Sequence, residues 1–334
     1  MITAGGERGI EVEAGREARD QQRVHVPVLV SEVVTAFRDR GNDLEGWIVD
    51  GTVGAGGHAR ALLHAFPRAR LLGVDQDPEI LVHARQELEP FGSRVRLLHG
   101  RISRLFALAS AVGADPVTGV LYDLGASSLH FDRAERGFSF SADGPLDMRM
   151  DPTRTRTAAS IVNQWDEADL ADLFYYEGGE RSSRKIAHAI VSARRRAPFL
   201  RTLALAEVVT SAAGARGKVH PATRVFQALR RAVNEEGDEL ARGLSIAERL
   251  LSDGGRLVVL TFHSGEDGVV KRYLTERARE GSWLLENKKP LGPGAGERRS
   301  NPRARSALLR CAVRVRTAEG AARFRLHRGI EEGR

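Results

Sequence analysis

Three aspartates each close a short apolar run: Asp50 ends residues 47–50, Asp75 ends residues 70–75, and Asp123 ends residues 119–123. Asp50 leads straight into a glycine-dense loop, GTVGAGGH (51–58), and a helical pattern begins at about Ala59. Glycines between a strand and a helix let the backbone come close to a bound ligand. A carboxylate that ends the second strand, roughly 20 residues further on, is where nucleotide-binding α/β folds hold a ribose diol. The pattern therefore predicts a site for an adenosine-containing cofactor.

Asp50 decides which one. A dinucleotide such as NAD would lay its diphosphate against the loop amides. A carboxylate about 4 Å away would oppose it by ~4 kcal/mol at an effective dielectric of about 20. S-adenosylmethionine has no phosphate and carries an ammonium and a sulphonium, so the same carboxylate attracts it. The spacing G-x-G-x-x-G is also missing, because Gly51, Gly54, Gly56 and Gly57 fall at other intervals. S-adenosylmethionine is the expected cofactor; a glycine-rich turn without a ligand is the plain alternative.

Other segments carry chemistry-bearing side chains. Ligands of doubly wound sheets sit outside the carboxyl ends of the strands, so Asp50, Asp75 and Asp123 should converge on one crevice. The loop RGFSFSADGPLDMRMD (136–151) sets Phe138 and Phe140 among arginines and aspartates, a mixture that suits an unstacked base and its phosphates. The same two rings could equally plug a core. HPATRVFQALRRAVNEE (220–236) carries Arg224, Arg230 and Arg231 on one helix, either for phosphate or simply solvated. TFHSGED (261–267) closes a strand, but no G-x-S-x-G elbow accompanies it, which argues against a hydrolase. Without HExxH or a Cys/His cluster, no metal site is expected.

The elements that must position these residues follow from the alternation of apolar patterns. Strands are expected near residues 47–50, 70–75, 95–99 and 119–123, separated by helical segments, which means a parallel doubly wound sheet. From 128 to 218 the pattern is helical, with segments near 167–175, 182–194 and 202–212. Helices continue near 223–234 and 239–251, and strands return at 256–262 and 307–316, with a helix near 269–279 and a short strand at 283–286. The fold class is thus α/β, one sheet interrupted by an inserted all-helical domain. Residues 1–23 read as a disordered tail, 24–127 and 219–334 as the discontinuous sheet domain, and 128–218 as the insert. The basic, Gly- and Pro-rich stretch 286–306 reads as a mobile surface loop.

Composition narrows the setting. The chain has 334 residues, 42% of them hydrophobic, enough for an ample core, and no apolar run approaches the ~20 residues of a membrane span. The start of the chain lacks the apolar stretch of a secretory signal, and the single Cys311 allows no internal disulfide; a reducing cytoplasm fits. A net charge of +7 favours an anionic partner, nucleic acid first.

Nine segments then match a family in order: HVPVLVSEVV, DGTVGAGGH, GVDQDP, LYDLGASS, RGFSFSADGPLDMRMD, GERSSRKIAHAIV, HPATRVFQALRRAVN, GGRLVVLTFHSGED and NPRARSALLR. From His25 to about Arg310 the chain resembles the bacterial small-subunit (16S) ribosomal RNA cytosine-N4 methyltransferases. The resemblance implies a class I (Rossmann-like) S-adenosylmethionine-dependent fold with an inserted helical substrate-recognition domain. It also implies N4-methylation of a cytidine in the decoding centre of 16S rRNA, within the small ribosomal subunit; a homodimer stays open. Carried over by motif, Gly56, Gly57 and His58 would touch the cofactor, Asp75 its ribose and Ile102 its adenine, with Asp123 and His130 nearby. The chain departs from the family at Ile102, where an aromatic is usual, and at His130, often glutamine. Gly179 replaces a carboxylate of GEER, and FHSLEDR reads FHSGEDG, which loosens the expected helix start.

The mechanism implied is attack of the cytosine N4 on the sulphonium methyl, with Asp123 as first candidate acceptor for the amine hydrogens and Asp147 or backbone carbonyls behind it. Arg149, Arg181 and Arg224 are expected to meet RNA phosphates. Two rivals remain on sequence grounds: an NAD-dependent dehydrogenase and a non-catalytic RNA-binding module with a degenerate cofactor site.

Overall fold

The computed structural model of the chain describes residues 27–38, 44–214 and 220–316; the expected tail at 1–23 lies outside them. Seven strands form one sheet: β1 (Gly46–Asp50), β2 (Ala69–Asp75), β3 (Val95–His99), β4 (Val117–Asp123), β5 (Leu251–Thr261), β6 (Trp283–Leu285) and β7 (Leu308–Arg314), in spatial order β3-β2-β1-β4-β5-β7-β6. The first five pair in parallel, while β7 runs antiparallel between β5 and β6. This is the Rossmann-like α/β architecture of class I methyltransferases.

Burial on both faces explains why the strands, whose side chains alternate between them, read as continuous apolar runs. Val49, Val120 and Tyr122 face one side of the sheet, where Leu105, Leu240, Leu244 and Val270 cover them. Ile48 and Leu121 face the other, against Val33, Phe37 and Leu62. The covering helices include α1 (Val30–Phe37), α2 (Gly57–Ala65), α3 (Pro78–Leu88) and α4 (Leu105–Ala111). Chain order reverses at β1, which pairs with β2 on one side and β4 on the other. Asp50 lies opposite Gly73 and Leu121, so three aspartate-bearing strand ends open on the same crevice.

After β4 comes the short α5 (Ser128–Asp132), then α6 (Ala158–Gln164), α7 (Glu167–Asp172), a π-helical turn at Leu173–Glu177, α8 (Ser183–Arg194), α9 (Thr202–Ala213) and α10 (Ala222–Asn234). Their apolar faces form a separate core that runs from Leu146 to Val233. A boundary at residue 218 therefore cuts through this cluster, since α10 packs into it; a shift from strand to helix pattern cannot reveal which core a helix joins. The next helix, α11 (Glu236–Leu250), packs on the sheet through Leu240, Leu244 and Ala247.

Two further expectations change. The helix after β5, α12 (Ser264–Arg279), starts five residues before the expected 269 despite Gly265 and Gly268. His263 caps it, its Nδ1 accepting from the Glu266 amide at 3.3 Å. The stretch expected as a mobile loop contains α13 (Ala295–Ser300) and a 3-10 turn, Pro302–Ser306. It is docked: Ala304 and Ala307 are buried, and Glu297 accepts from the Leu29 amide at 2.8 Å. Cys311 is a core residue whose thiol burial pushes up to about 11. No described helix is long and apolar enough to cross a membrane.

One side chain fastens the 136–151 loop to α10. Buried Asn234 accepts from the Met150 amide at 2.9 Å and donates to the carbonyls of Met148 at 2.9 Å and Arg230 at 2.8 Å. Met148 has φ of +65°, a left-handed conformation that non-glycine residues hold only under restraint. Asn234→Ala should lower unfolding free energy by roughly 1–3 kcal/mol, the penalty for stranded buried partners. Urea unfolding followed by circular dichroism measures this; a midpoint equal to wild type would show that the loop is held by packing alone.

Candidate functional site

The strand ends and the helical module enclose a cavity of about 680 Å³. The loop after β1 turns its amides toward the aspartates. Thr52 donates its N–H to Asp50 Oδ1 at 3.1 Å, and Gly54 donates to Asp75 Oδ2 at 2.9 Å, with Asp77 N–H on the other Asp75 oxygen at 2.9 Å. The Thr52 hydroxyl accepts from the Asp123 amide at 2.6 Å. Gly54 and Gly56, at φ of +55° and +94°, make the turn that only glycine adopts readily. Gly57 and His58 line the cavity. Gly56 faces away from it, where a Cβ would sit 3.3 Å from Leu88 of α3, so its place is in the turn rather than at the wall.

Burial shapes the charges. Asp50 is 1% exposed, and desolvation pushes its carboxyl up to about 7 although His58 and the Thr52 amide pull the other way. Burial also raises Asp75, against its two amide donors. His58 lies between two oxygens: Nε2 is 2.8 Å from the Val28 carbonyl and Nδ1 is 3.3 Å from Asp123 Oδ2. A carbonyl only accepts, so Nε2 carries a hydrogen, and a second hydrogen must lie between Nδ1 and Asp123. Burial opposes a charged imidazole here, but the Asp123 carboxylate outweighs it, and the His58 pKa is raised. The other Asp123 oxygen, Oδ1, is buried without a hydrogen-bond partner among the described residues.

Toward β2 the wall is formed by Asp75, Gln76, Ile80, Gly100 and Ile102. Gln76 Oε1 is buried and has no partner among the described residues. Ile102 is wedged against Gly243 of α11, where a Cβ would fall 2.3 Å from its Cγ2. His130 also lines the cavity but is engaged: Nδ1 accepts from the Ser127 amide at 3.1 Å, and Nε2 donates to Asp77 Oδ2 at 2.8 Å. Arg136 joins the same Asp77 oxygen at 2.6 Å. Burial disfavours the charge on Asp77, yet these two donors hold its carboxyl below the usual range.

The residues nominated for RNA are mostly committed elsewhere. Phe138 is 4% exposed and stacks on His130 at 4.7 Å; Phe140 packs on His220 and Phe226. The core reading of these two rings therefore fits their surroundings better than base stacking. Arg149 forms two bonds to Asp147, at 2.8 and 2.7 Å, and neither residue lines the cavity. Arg224 pairs with Glu180 at 3.7 Å, and Arg181 is exposed; both lie outside the cavity wall. The arginines that do line it are Arg101, Arg230, Arg231 and Arg303. Sequence reasoning also missed Thr52, Gln76, Gln227 and Tyr176. The paired tyrosines before Gly178-Gly179 were the available signal for the last.

A family model described as the MraW methylase family matches residues 22–315. "Ribosomal RNA small subunit methyltransferase H" of Methylobacterium sp. (strain 4-46) is 47% identical over 309 residues, covering 87% of this chain and 91% of the relative. The protein of the same name from Beijerinckia indica is 47% identical over 326 residues, covering 92% and 88%. That from Cereibacter sphaeroides (strain ATCC 17029) is 46% identical over 321 residues, covering 91% and 94%.

The electrostatics carry a pH consequence. Asp50 and His58 both hold a proton more tightly folded than unfolded, so raising the pH destabilises the unliganded fold. For Asp50 the loss falls between its ordinary 3.8 and about 7; for His58 it continues above 6.5. Urea midpoints taken from about pH 4 to about pH 8 should decline less in Asp50→Asn than in wild type. The difference between the two profiles isolates this carboxyl group, and parallel profiles would mean that Asp50 is ionised throughout.

Proposed function

This chain belongs to the MraW methylase family, and we propose that it is an S-adenosylmethionine-dependent methyltransferase acting on the N4 of a cytidine in the decoding centre of 16S rRNA. The observation that carries the reading is Asp123, which lines the crevice together with Asp75 and has a buried oxygen without a hydrogen-bond partner among the described residues. The printed names of the relatives support ribosomal RNA of the small subunit as substrate. The motif resemblance supports the cytidine N4 and the decoding centre, and a ribosomal substrate supports a cytoplasmic site of action.

The residues present fit the cofactor. Asp50 is buried just behind the crevice wall rather than on it, with His58 close by, and its carboxyl suits a cationic ligand such as an ammonium. Asp75 suits the ribose diol, with the unpartnered Gln76 Oε1 next to it, and Ile102 offers adenine an apolar wall. The glycine turn brings the backbone close. When bound, S-adenosylmethionine supplies an electrophilic methyl group on sulphur.

The chain's own contribution is orientation and proton handling. The N4 lone pair is delocalised into the cytosine ring, so an acceptor on its hydrogens must help it pyramidalise, and the nitrogen must lose one proton on methylation. Asp123 Oδ1 is the acceptor in place. His58 binds the other oxygen and so fixes the direction of the first. Holding the amine in line is the larger part of the effect. A paired base cannot present its exocyclic amine here, so the nucleotide enters unstacked. A dehydrogenase reading fares worse, because Asp50, Asp75 and Asp123 concentrate negative charge where a diphosphate would lie.

Mass mapping of 16S rRNA tests the assignment. RNA from a strain lacking the gene should miss one methyl on one cytidine, and supplying the chain should restore it; a restored methyl on carbon, ribose or another RNA would refute the N4 reading. Asp123→Asn should slow single-turnover methyl transfer by about 10²-fold or more with both substrates saturating, the scale of general base effects. A rate within a few-fold of wild type would remove Asp123 as the amine's acceptor and leave it to the cofactor.

A further inference from the structure

The rim of the crevice carries an aromatic ring that the mechanism above does not use. Tyr176 is 73% exposed, the most exposed large apolar side chain among the described residues, and it lines the same cavity as Asp123. Its neighbour Tyr175 is 53% exposed and meets it edge to face, with ring centroids 5.1 Å apart at 86°. A T-shaped contact occupies one face of a ring at most, so Tyr176 keeps a face free.

The backbone that displays the ring is heavily restrained. Tyr176 lies in the π-helical turn Leu173–Glu177, a conformation that recurs at functional sites. Leu173 and Phe174 anchor the turn in the helical core. Gly179 donates to the Tyr175 carbonyl at 3.0 Å and Glu180 to that of Phe174 at 2.9 Å. Arg231 binds both the carbonyl and the carboxylate of Glu177, each at 2.8 Å. Gly178 lets the turn press on α10, since a Cβ there would stand 2.6 Å from the Arg224 carbonyl. A fixed turn whose outward side chains are two tyrosines is a display, not a frayed helix end. Phosphate partners are at hand: Arg181 is exposed on the same segment, and Arg303 is exposed on the cavity wall.

We propose that Tyr176 is the platform on which one base of the RNA stacks as the strand enters the crevice. The proposal rests on the reading of the substrate as RNA. An aromatic face accepts any base, and flanking guanidinium groups hold the backbone without reading sequence. Phe138 is buried, Phe140 packs on His220 and Phe226, and neither lines the cavity, so they cannot take this part.

The test compares Tyr176→Phe, Tyr176→Leu and Tyr176→Ala, each checked for native circular dichroism. Affinity for 16S rRNA and for small ribosomal subunits from a strain lacking the gene is measured by filter binding, and affinity for S-adenosylmethionine by calorimetry. Stacking predicts that Tyr176→Ala and Tyr176→Leu weaken RNA binding about five- to a hundredfold. Tyr176→Phe should stay close to wild type, and cofactor affinity should hold in all three. Equal RNA affinity in Tyr176→Ala would overturn the proposal, as would full retention by Tyr176→Leu, which signals mere apolar contact. A parallel fall in cofactor affinity would assign the ring to the cofactor instead. If wild type itself binds neither RNA, the functional reading fails as well; if only the variants behave like wild type, that reading survives and this one does not.

Discussion

Three carboxylates at one edge of one sheet, Asp50 buried and Asp75 and Asp123 lining the crevice, are the condition to which the rest of the site answers. Left alone, such a cluster would repel itself and resist burial. Each member is handled differently. Asp75 is held by two backbone amides, Asp123 by an imidazole that keeps a proton, and Asp50 by a raised affinity for a proton of its own. The result is a receptor matched to positive charge, in which backbone amides, His58 and burial offset the mutual repulsion of the three groups. That balance explains why a glycine-rich loop, usually a phosphate cradle, here turns amides onto its own aspartates.

The helical module is tied to this edge through a second carboxylate two residues beyond Asp75. Asp77 is fully buried, caps α3 through the Glu79 amide at 2.9 Å, and gathers His130 and Arg136 from the segment that leads into the module. Asn234 makes the reciprocal tie from α10. The 136–151 segment and the turn after β2 therefore share hydrogen bonds rather than simply abutting. His130, where the resembled family often has glutamine, fills its place as a strut with both ring nitrogens engaged.

Much of the sheet was legible because each buried strand is an apolar run ended by a polar residue, and because glycine marks the one loop that must approach a ligand. What escaped was information that tertiary packing adds. Phe138 and Phe140 read as equally suited to a base or a core, and only the presence of His130 and Phe226 beside them separates the two. Arg149 reads as free for phosphate until Asp147, two residues away, is seen to occupy it. Ala304 and Ala307 dock a segment whose charges and glycines predict a loose loop, since two small residues leave no periodic signal. Tyr176 was passed over because it sits on a π-helical turn, which follows neither period that pattern reading looks for.

The insertion of β7 between β5 and β6 also imposes an order on synthesis. A nascent chain emerges from its N-terminus, so the five parallel strands can assemble first, leaving β5 as an open edge. Among the described residues strand β6 has no sheet partner other than β7, and the segment around Glu297 returns to Leu29 near the other end of the described chain. Until residues 308–314 have emerged, the long β5 exposes unpaired amides and carbonyls of the kind that recruit other strands. A chain cut before residue 308 would thus have its ligand crevice largely outlined and the edge of its sheet unsealed.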